Sequence, residues 1–390
     1  MRVALNLEQL LQPVPGGTGR YVARLAALLP ALFPGDEVVP FVAHHRTGDV
    51  VTALGRFGLD ASNVRPPVVL PLPRPWLYDA WHVLGALSPA RYSRSLAACD
   101  ILHAPSPAVP PSGGRPLVVT VHDAAFELFP EAYTRHGLRF HRQGVAAAAR
   151  RADAVITASR VAAAEIAAHT PISPEQLRVV PDGVDQVVPT VPEVASVLAA
   201  LRLDDAPYVL WVGTLEPRKN VGTLVRALGE LVQSRSVPHR LVLVSPGGWR
   251  GQGLIAEADR SVLGDRLRVL GRVPEAHLRA LYAGADLFCL PSLHEGFGLT
   301  VLEAMVQGTA VVCSDLPALR EVAGEAAQFV GPHDANAWAT AVGELLGDAG
   351  RLARLGTAGA ERAKFFSWER CVQGTRAVYV EVLGGAGTRH

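Results

Sequence analysis

Short runs rich in Val, Ile and Leu alternate with helical patterns along almost the whole chain, and this alternation limits the possible folds more than any other feature. Helical patterns such as Tyr21–Leu32 and Leu138–Arg151 separate several of the runs. Continuous apolar strands that alternate with helices are typical of a parallel sheet covered on both faces. We therefore expect an α/β fold built on doubly wound sheets. The strand-like runs of the first half are Arg2–Asn6, Glu37–Ala43, Pro67–Pro71, Ile101–Ala104, Leu117–Val121, Ala154–Thr157 and Leu177–Val180.

A proline-containing stretch divides this pattern into two series. Residues 181–207 contain four prolines and few bulky hydrophobic side chains, which predicts a linker. The chain has 390 residues, more than the ~250–300 at which a single core stops growing. We expect two Rossmann-like domains, at 1–185 and 207–366, with a linker at 186–206 and a cleft lined by loops of both domains. The second series of runs is Tyr208–Val212, Arg240–Val244, Leu267–Leu270, Asp286–Leu290, Ala310–Cys313 and Ala327–Val330, followed by helices near Ala335–Leu346 and Trp368–Val382.

The overall composition excludes several classes of protein. The 37 Lys and Arg residues balance 36 Asp and Glu residues, so no global charge attracts nucleic acid. The first strand-like run directly follows Met1, and no apolar run approaches the ~18 residues of a membrane span, so we expect a cytoplasmic enzyme. The four cysteines lie far apart, which favours buried thiols over disulfides or a zinc site: Cys99, Cys289, Cys313 and Cys371.

The strongest local signal is the segment Ser292–Ala304, SLHEGFGLTVLEA, which follows a strand-like run. Gly296 and Gly298 allow backbone N–H groups to approach a ligand closely. A helix that begins near Thr300 directs its positive end at the same loop. This combination of strand, glycine loop and helix start suits a diphosphate.

Two carboxylates accompany this loop. Glu295 lies within it and Glu303 lies one turn into the helix, so both can accept hydrogen bonds from hydroxyl groups, Glu295 from a sugar and Glu303 from a ribose. For Glu303 a second interpretation remains open. Thr300-x-x-Glu303 is also a capping box, in which the carboxylate bonds only the backbone of the helix start.

A second anion-binding signal lies upstream, in the segment Gly213–Asn220, GTLEPRKN. Arg218 and Lys219 are adjacent, so both can converge on one ligand only from a turn, and Pro217 favours such a turn. Two cations could neutralise a diphosphate without a metal ion. Lys219 is also one of only two lysines in the chain.

Taken together, these two segments resemble glycosyltransferase family 4, whose members are retaining enzymes of GT-B fold. The resemblance covers nearly the full chain and implies two Rossmann-like domains facing across a cleft, with residues 367–390 crossing back onto the N-terminal domain. Four further motifs carry it: Gly16–Arg20 (GGTGR), Val121–Asp123 (VHD), Pro181–Asp185 (PDGVD) and Phe366–Glu369 (FSWE).

The resemblance also implies a role for each matching residue. Arg218 and Lys219 would bind the donor diphosphate, Glu303 the ribose and Glu295 the transferred sugar. His122 would lie near the donor sugar and the acceptor, although a histidine satisfied at a strand end is the alternative. For Asp123 next to it, the alternative is a turn residue. The remaining contacts implied by the family are Gly16 and Gly17 over the phosphates, the amides of Gly296, Phe297 and Gly298 on the sugar, Leu299 and Thr300 at the helix start, and Gly271, Arg272 and Val273 around the base.

One position departs from the family pattern. Ser245 stands where glycine is usual, which puts a local phosphate contact in doubt. Arg250 could replace that contact, and we favour a solvated side chain instead.

The two carboxylates are assigned to sugar and ribose rather than to an acid and base pair about 5–9.5 Å apart, as a glycosidase would need. We therefore expect electrostatic catalysis by Arg218, Lys219 and the helix start, with the departing phosphate accepting the proton of the acceptor. No metal or other cofactor is implied. Alternatives are a GT-B sugar-nucleotide epimerase or hydrolase, and a catalytically silent nucleotide-sugar-binding protein. A nicotinamide dehydrogenase fits poorly, because the first glycine motif lacks the acidic strand end about 20 residues further on.

Similarity around His122–Glu131 is greatest to bacterial mannosyltransferases, so GDP-mannose is the favoured donor and a UDP-sugar the alternative. The acceptor is expected to be a glycan or a lipid-linked sugar. Two segments, Pro75–Trp81 and Tyr133–Arg151, combine aromatic and arginine residues. They could meet a membrane surface at the inner face or form a core aromatic cluster beside a solvated helix.

Overall fold

The computed structural model describes residues 1–235, 237–247 and 263–386. It divides the chain into two compact units. One comprises Met1–Gly183 together with Trp368–His390, and the other comprises Val184–Ser367.

The first unit contains a seven-stranded parallel sheet. Its strand order is β3-β2-β1-β4-β5-β6-β7. The strands are β1 (Arg2–Asn6), β2 (Glu37–Val42), β3 (Val68–Val69), β4 (Ile101–Ala104), β5 (Leu117–Thr120), β6 (Ala154–Thr157) and β7 (Leu177–Val179), and the helices are Gly16–Leu32, Thr47–Gly55, Arg74–His82, Arg94–Ala97, Ala125–Leu128, Arg135–Arg151, Arg160–His169 and Trp368–Ala386.

Both faces of this sheet are buried, which explains its continuous apolar strands. In β1, Val3 and Leu5 belong to one core cluster, whereas Ala4 between them belongs to the other. In β5, Val118 and Val119 divide in the same way. Successive side chains of a strand point to opposite faces, so a sheet covered on both sides favours apolar residues in succession along its strands.

The second unit contains a six-stranded parallel sheet of order β10-β9-β8-β11-β12-β13. This order, like that of the first sheet, reverses direction beside its first strand, as in Rossmann-like folds. The strands are β8 (Tyr208–Val212), β9 (Arg240–Val244), β10 (Leu267–Leu270), β11 (Leu287–Leu290), β12 (Val311–Ser314) and β13 (Gln328–Val330), and the helices are Val191–Leu201, Val221–Arg235, Glu275–Ala283, Leu299–Val306, Pro317–Ala323, Ala335–Leu346 and Ala349–Ala363.

Each strand-like run of the sequence corresponds to a strand of the structure, but two other expectations differ. The first helix begins at Gly16 rather than Tyr21. Glycine has low helix propensity, so the run Gly16–Gly19 indicated a loop. Gly19 nevertheless packs tightly, since an added Cβ would lie 2.4 Å from the Cβ of Pro15.

The predicted linker at 186–206 is a structured part of the second unit. It contains the helix Val191–Leu201, which starts with a capping box between Thr190 and Glu193. Gln186 donates to the carbonyl of Ala363 at 3.0 Å. The two prolines of this stretch stand before the helix and in its first turn, where they are tolerated, so their presence did not exclude a helix.

The last helix groups with the first unit. Tyr379 is completely buried there, and its hydroxyl lies 2.6 Å from Nδ1 of His103. Arg376 donates to the carboxylate of Asp36 at 2.6 Å. The side chains of this helix therefore form part of the core of the first unit.

Within the described residues, no helix is long and apolar enough to cross a bilayer. All four cysteines are buried free thiols, as their spacing predicted.

Candidate functional site

The glycine loop after β11 leads directly into a helix. Gly298 has φ +104, and the helix Leu299–Val306 starts at the next residue. This backbone conformation favours glycine, and a Cβ added to Gly298 would lie 2.5 Å from Leu319 Cδ2, so the end of that side chain would have to shift. Leu299 and Thr300 occupy the first helical turn, where backbone N–H groups lack intrahelical acceptors. The predicted succession of strand, glycine loop and helix start is therefore present.

The second predicted segment forms a tight turn against this loop. Pro217–Lys219 is a single 3-10 turn, and Asn220 adopts a left-handed conformation at φ 50. The Asn220 amide donates to the carbonyls of Pro291 at 3.0 Å and Pro332 at 2.7 Å. The backbone N–H of Leu293 donates to the carbonyl of Arg218 at 2.8 Å. These bonds fix the two loops side by side.

The structure brings Lys219 and Glu295 into direct contact. The Lys219 ammonium donates to both carboxylate oxygens of Glu295, at 2.7 and 2.9 Å. Arg218 lies 3.8 Å from the same carboxylate and donates to the carbonyl of His294 at 3.0 Å. The three charged side chains are 9–16% exposed. A second carboxylate, that of Glu216, lies 3.6 Å from Arg218 and is 28% exposed, so two cations and two carboxylates meet at this site.

The pKa of Glu295 is set by opposing effects. Burial raises it, but the charges of Lys219 and Arg218 and the hydrogen bonds from Lys219 and Ser292 outweigh burial and hold the pKa below its usual value. The Ser292 hydroxyl donates to the Glu295 carboxylate at 2.6 Å. Glu295 is therefore an ionised hydrogen-bond acceptor at neutral pH.

The capping-box interpretation of Glu303 is wrong. The residue that precedes the helix is Gly298 rather than Thr300, so Thr300 is already helical and cannot cap. Glu303 instead accepts a hydrogen bond from the hydroxyl of Tyr282 at 2.8 Å. This bond orients a partly exposed carboxylate near the start of the helix. Its predicted contact with a ribose stays a prediction.

Phe297 and the residues Gly271, Arg272 and Val273, which were also predicted to contact the donor, belong to the second unit as well. Phe297 is 7% exposed and packs edge-on against Phe366, with ring centroids 5.8 Å apart. Gly271, Arg272 and Val273 directly follow β10 at the carboxyl edge of the sheet, with Gly271 and Arg272 exposed.

Ser245 uses its hydroxyl locally. Its Oγ donates to the carbonyl and accepts from the N–H of Gly247, each at 3.1 Å. The side chain that replaces glycine here therefore stabilises a turn. Arg250, named as a substitute cation, lies outside the described residues.

Gly16, Gly17 and His122 belong to the first unit. Gly16 and Gly17 are exposed in the first turn of the helix Gly16–Leu32, and Gly16 has φ +62. Their N–H groups therefore lie where a helix start can accept an anion.

His122 follows β5 at the carboxyl edge of the same sheet. Its ring packs edge-on against Tyr21, with centroids 5.5 Å apart, and its Nδ1 lies 3.9 Å from a carboxylate oxygen of Asp182. Asp123 accepts a hydrogen bond from the N–H of Ala125 at 3.0 Å, which is the turn role considered for it.

The aromatic and arginine-rich segments pack against each other. Tyr78 contacts Phe140 at a centroid distance of 5.1 Å, and Trp81 is 1% exposed. Arg142 forms two hydrogen bonds to Glu127. These contacts match the core-cluster alternative for much of both segments. Trp76 is 69% exposed, however, and membrane contact stays a prediction.

Comparison with known proteins shows which family the chain resembles. A family model described as Glycosyltransferase Family 4 matches residues 15–187, and one described as Glycosyl transferases group 1 matches residues 206–348. The chain belongs to glycosyltransferase family 4.

Named relatives of this glycosyltransferase include bacterial mannosyltransferases. O-antigen chain mannosyltransferase B of Escherichia coli is 28% identical, over 97% of this chain and 99% of its own length. The MMP alpha-(1->4)-mannosyltransferase of Mycolicibacterium hassiacum is 34% identical, over 69% of this chain and 66% of its own length. The structure of Anabaena HepE in complex with UDP-glucose aligns with a TM-score of 0.74 at 18% identity, covering 98% of this chain and 100% of that chain. The glycosyltransferase therefore has the GT-B fold.

Three residues of the family 4 glycosyltransferase carry contacts that the sequence did not assign. Tyr282 bonds Glu303, Ser292 bonds Glu295, and Asp182 faces His122. Ser292 and Asp182 lie inside the motifs Ser292–Ala304 and Pro181–Asp185, so the sequence could have indicated that they lie at the site. Tyr282 lies on a separate helix, 21 residues from its partner, and no local pattern indicates that pairing.

Proposed function

We propose that this glycosyltransferase transfers a mannosyl group from GDP-mannose to a glycan or lipid-linked acceptor, with retention of the anomeric configuration and without a metal ion. The observation that carries the proposal is the convergence of Arg218 and Lys219 on a glycine loop and helix start. These groups can supply the positive charge that a diphosphate leaving group needs.

The choice of sugar rests on the relatives. Two of them, from Escherichia coli and Mycolicibacterium hassiacum, are named as mannosyltransferases. HepE was solved with UDP-glucose, which keeps a UDP-sugar as the alternative donor. A base held by backbone groups near Gly271–Val273 would discriminate through hydrogen bonds that any residue can provide, so the side chains alone do not decide the base.

The proposed step breaks the bond between the anomeric carbon and the diphosphate oxygen. The acceptor hydroxyl forms the new bond on the same face of the sugar, and its proton passes to the departing phosphate oxygen. Arg218, Lys219 and the N–H groups at the start of the helix Leu299–Val306 stabilise the charge that develops on that phosphate. No protein base is needed in this scheme.

The Lys219–Glu295 ion pair bears on donor binding. A diphosphate would compete with Glu295 for the Lys219 ammonium, while the Glu295 carboxylate would gain sugar hydroxyls as donors. Lys219 and Glu295 would thus exchange their mutual ion pair for bonds to the ligand, and neither buried charge would be left without a partner. We therefore propose that, when the donor binds, Lys219 contacts the phosphate and Glu295 contacts the sugar.

Calorimetric titration with GDP, UDP and GDP-mannose in the presence of EDTA tests the donor site. Lys219→Ala should abolish or strongly weaken binding of the preferred nucleotide. Lys364→Ala is a matched control, because Lys364 is the other lysine and forms an exposed pair with Glu361. Binding that needs a divalent cation, or equal binding in both variants, would contradict the proposed site.

Kinetics separate the transferase from its alternatives. Arg218→Ala and Lys219→Ala should lower kcat far more than they raise KM, since the charge they neutralise develops mainly in the transition state. Rapid turnover of the nucleotide sugar without any acceptor would favour the epimerase or hydrolase alternative. NMR of the anomeric proton of the first product would show retention or inversion directly.

A further inference from the structure

We propose that Asp182 is a positioning residue that holds His122 as the Nδ1–H tautomer and leaves Nε2 as a hydrogen-bond acceptor for a substrate hydroxyl. The role of His122 toward substrate rests on the proposed function. The tautomer itself is a property of the free protein and can be measured without substrate.

The first support is the placement of the carboxylate. Asp182 lies in the loop after β7, and its Oδ2 is 3.9 Å from Nδ1 of His122. The two side chains are only 12% and 23% exposed, so little water screens the interaction. This separation exceeds a direct hydrogen bond, so the carboxylate acts through its charge, which favours a proton on the ring nitrogen that faces it.

The second support is the packing that fixes the imidazole ring. Tyr21 places its ring edge-on to His122, and the Tyr21 hydroxyl lies 3.2 Å from that of Thr120. Thr120 also lies 2.9 Å from Nε2 of His103, whose Nδ1 is 2.6 Å from the Tyr379 hydroxyl. This buried hydrogen-bonded chain holds Tyr21 against His122. The ring therefore cannot readily exchange its two nitrogens by rotation.

The third support is the environment of Nε2, the other nitrogen of the His122 ring. Nε2 of His122 is buried and has no hydrogen-bond partner among the described residues. A buried polar atom without a partner costs stability, and such atoms occur where a ligand supplies the missing bond. If Asp182 fixes the proton on Nδ1, then Nε2 presents a lone pair that only a donor such as a sugar hydroxyl can satisfy.

The titratable neighbours of this pair do not interfere with a measurement of the His122 tautomer near neutral pH. Burial lowers the pKa of His103 to about 3 and raises the pKa values of Tyr21 and Cys371. None of the three changes its charge between about pH 5 and 8, where histidine normally titrates.

The pair itself is coupled. Burial raises the pKa of the Asp182 carboxyl, and attraction to protonated His122 opposes this rise.

Nitrogen-15 NMR of histidine-labelled protein tests the inference directly. The chain has 13 histidines, so His122→Gln identifies the resonances of His122 by difference. We expect the Nδ1–H tautomer in the wild type and a shift toward the Nε2–H tautomer in Asp182→Ala. Asp123→Asn is the matched control, because it removes a neighbouring carboxylate that bonds the Ala125 N–H; the His122 tautomer should not change. A wild-type Nε2–H tautomer, or one unaltered by Asp182→Ala, would overturn the proposal.

Activity provides a second readout. Asp182→Ala should lower kcat about 10- to 100-fold, as loss of one oriented hydrogen bond does, with little change in donor KM. Asp182→Asn should retain more activity, because its amide oxygen can still accept from Nδ1–H of His122. If the NMR results hold but no nucleotide sugar turns over, the proposed function fails and the positioning role stands. If transfer occurs but the tautomer is independent of Asp182, only the positioning role fails.

Discussion

Replacing Lys219 by methionine should have separate effects on stability and on ligand binding. The substitution keeps most of the aliphatic volume and removes the ammonium, which lies 2.7 and 2.9 Å from the Glu295 oxygens. Removing one partner of a buried pair costs about 3–5 kcal/mol when nothing replaces it. Here Arg218, at 3.8 Å, and the Ser292 hydroxyl still face the carboxylate. We therefore expect a smaller loss of unfolding free energy, about 2–3 kcal/mol.

Thermal denaturation would detect this loss. A domain of 150–250 residues loses about 2–4 °C in Tm for each kcal/mol, so the transition of the second unit should fall by about 4–12 °C. The first unit, which does not contain the pair, should melt unchanged. Lys364→Met removes an exposed lysine in the same unit and should shift the transition by less than about 2 °C.

The double variant Lys219→Met, Glu295→Gln separates the two roles of the lysine. Replacing the carboxylate by a neutral amide removes the unpaired buried charge, so most of the lost Tm should return. Affinity for GDP should not return, because the diphosphate has lost a charge-assisted bond worth about 1.5–3 kcal/mol, or roughly 10- to 100-fold in Kd. Recovery of GDP affinity together with stability would refute the assignment of Lys219 to the phosphate. Failure of the double variant to recover stability would refute the ion-pair account.

Two further predictions concern other parts of the molecule. Gly298→Ala should lower the Tm of the second unit and weaken nucleotide binding, because alanine is strained at φ +104 and its Cβ would lie 2.5 Å from Leu319; Gly331→Ala, where an added Cβ meets nothing within 4 Å, should be nearly neutral in the same melt. His103 is held neutral in the folded state with a pKa of about 3, below its unfolded value, so the unfolded chain binds more protons as pH falls. Stability of the first unit should therefore decline from about pH 6.5 toward pH 3, and His103→Gln should make this decline shallower in denaturant titrations at several pH values.

Much of the fold follows from patterns that are local in sequence. The central strands were the most predictable, because they are buried along their whole length and are mainly apolar runs. The helix Val191–Leu201 was missed, since prolines and scattered valines mask a helix whose packing partners lie far along the chain. It approaches the helix Glu275–Ala283, as the clash of a Gly284 Cβ with Leu198 at 2.8 Å shows.

The candidate site was predictable to a similar extent. Arg218, Lys219 and Glu295 were identified from two glycine- and proline-containing segments, but their mutual contact was not, because 76 residues separate Lys219 from Glu295. The alternative functions of Glu303 could not be separated by spacing alone. A shift of two residues in the start of the helix decides whether Thr300 caps it, and helix boundaries are the least certain part of any sequence-based assignment.

The last helix has a consequence for how the protein is made. It supplies Trp368, Val372 and Tyr379 to the core of a unit whose other residues end at Gly183. A ribosome working at about 5–20 residues per second needs roughly 10–40 s to synthesise the intervening stretch Val184–Ser367. During that time the nascent first unit exposes an apolar face that only the end of the chain can cover. A stop codon just before Trp368 would therefore leave the whole second unit intact and still yield an aggregation-prone product.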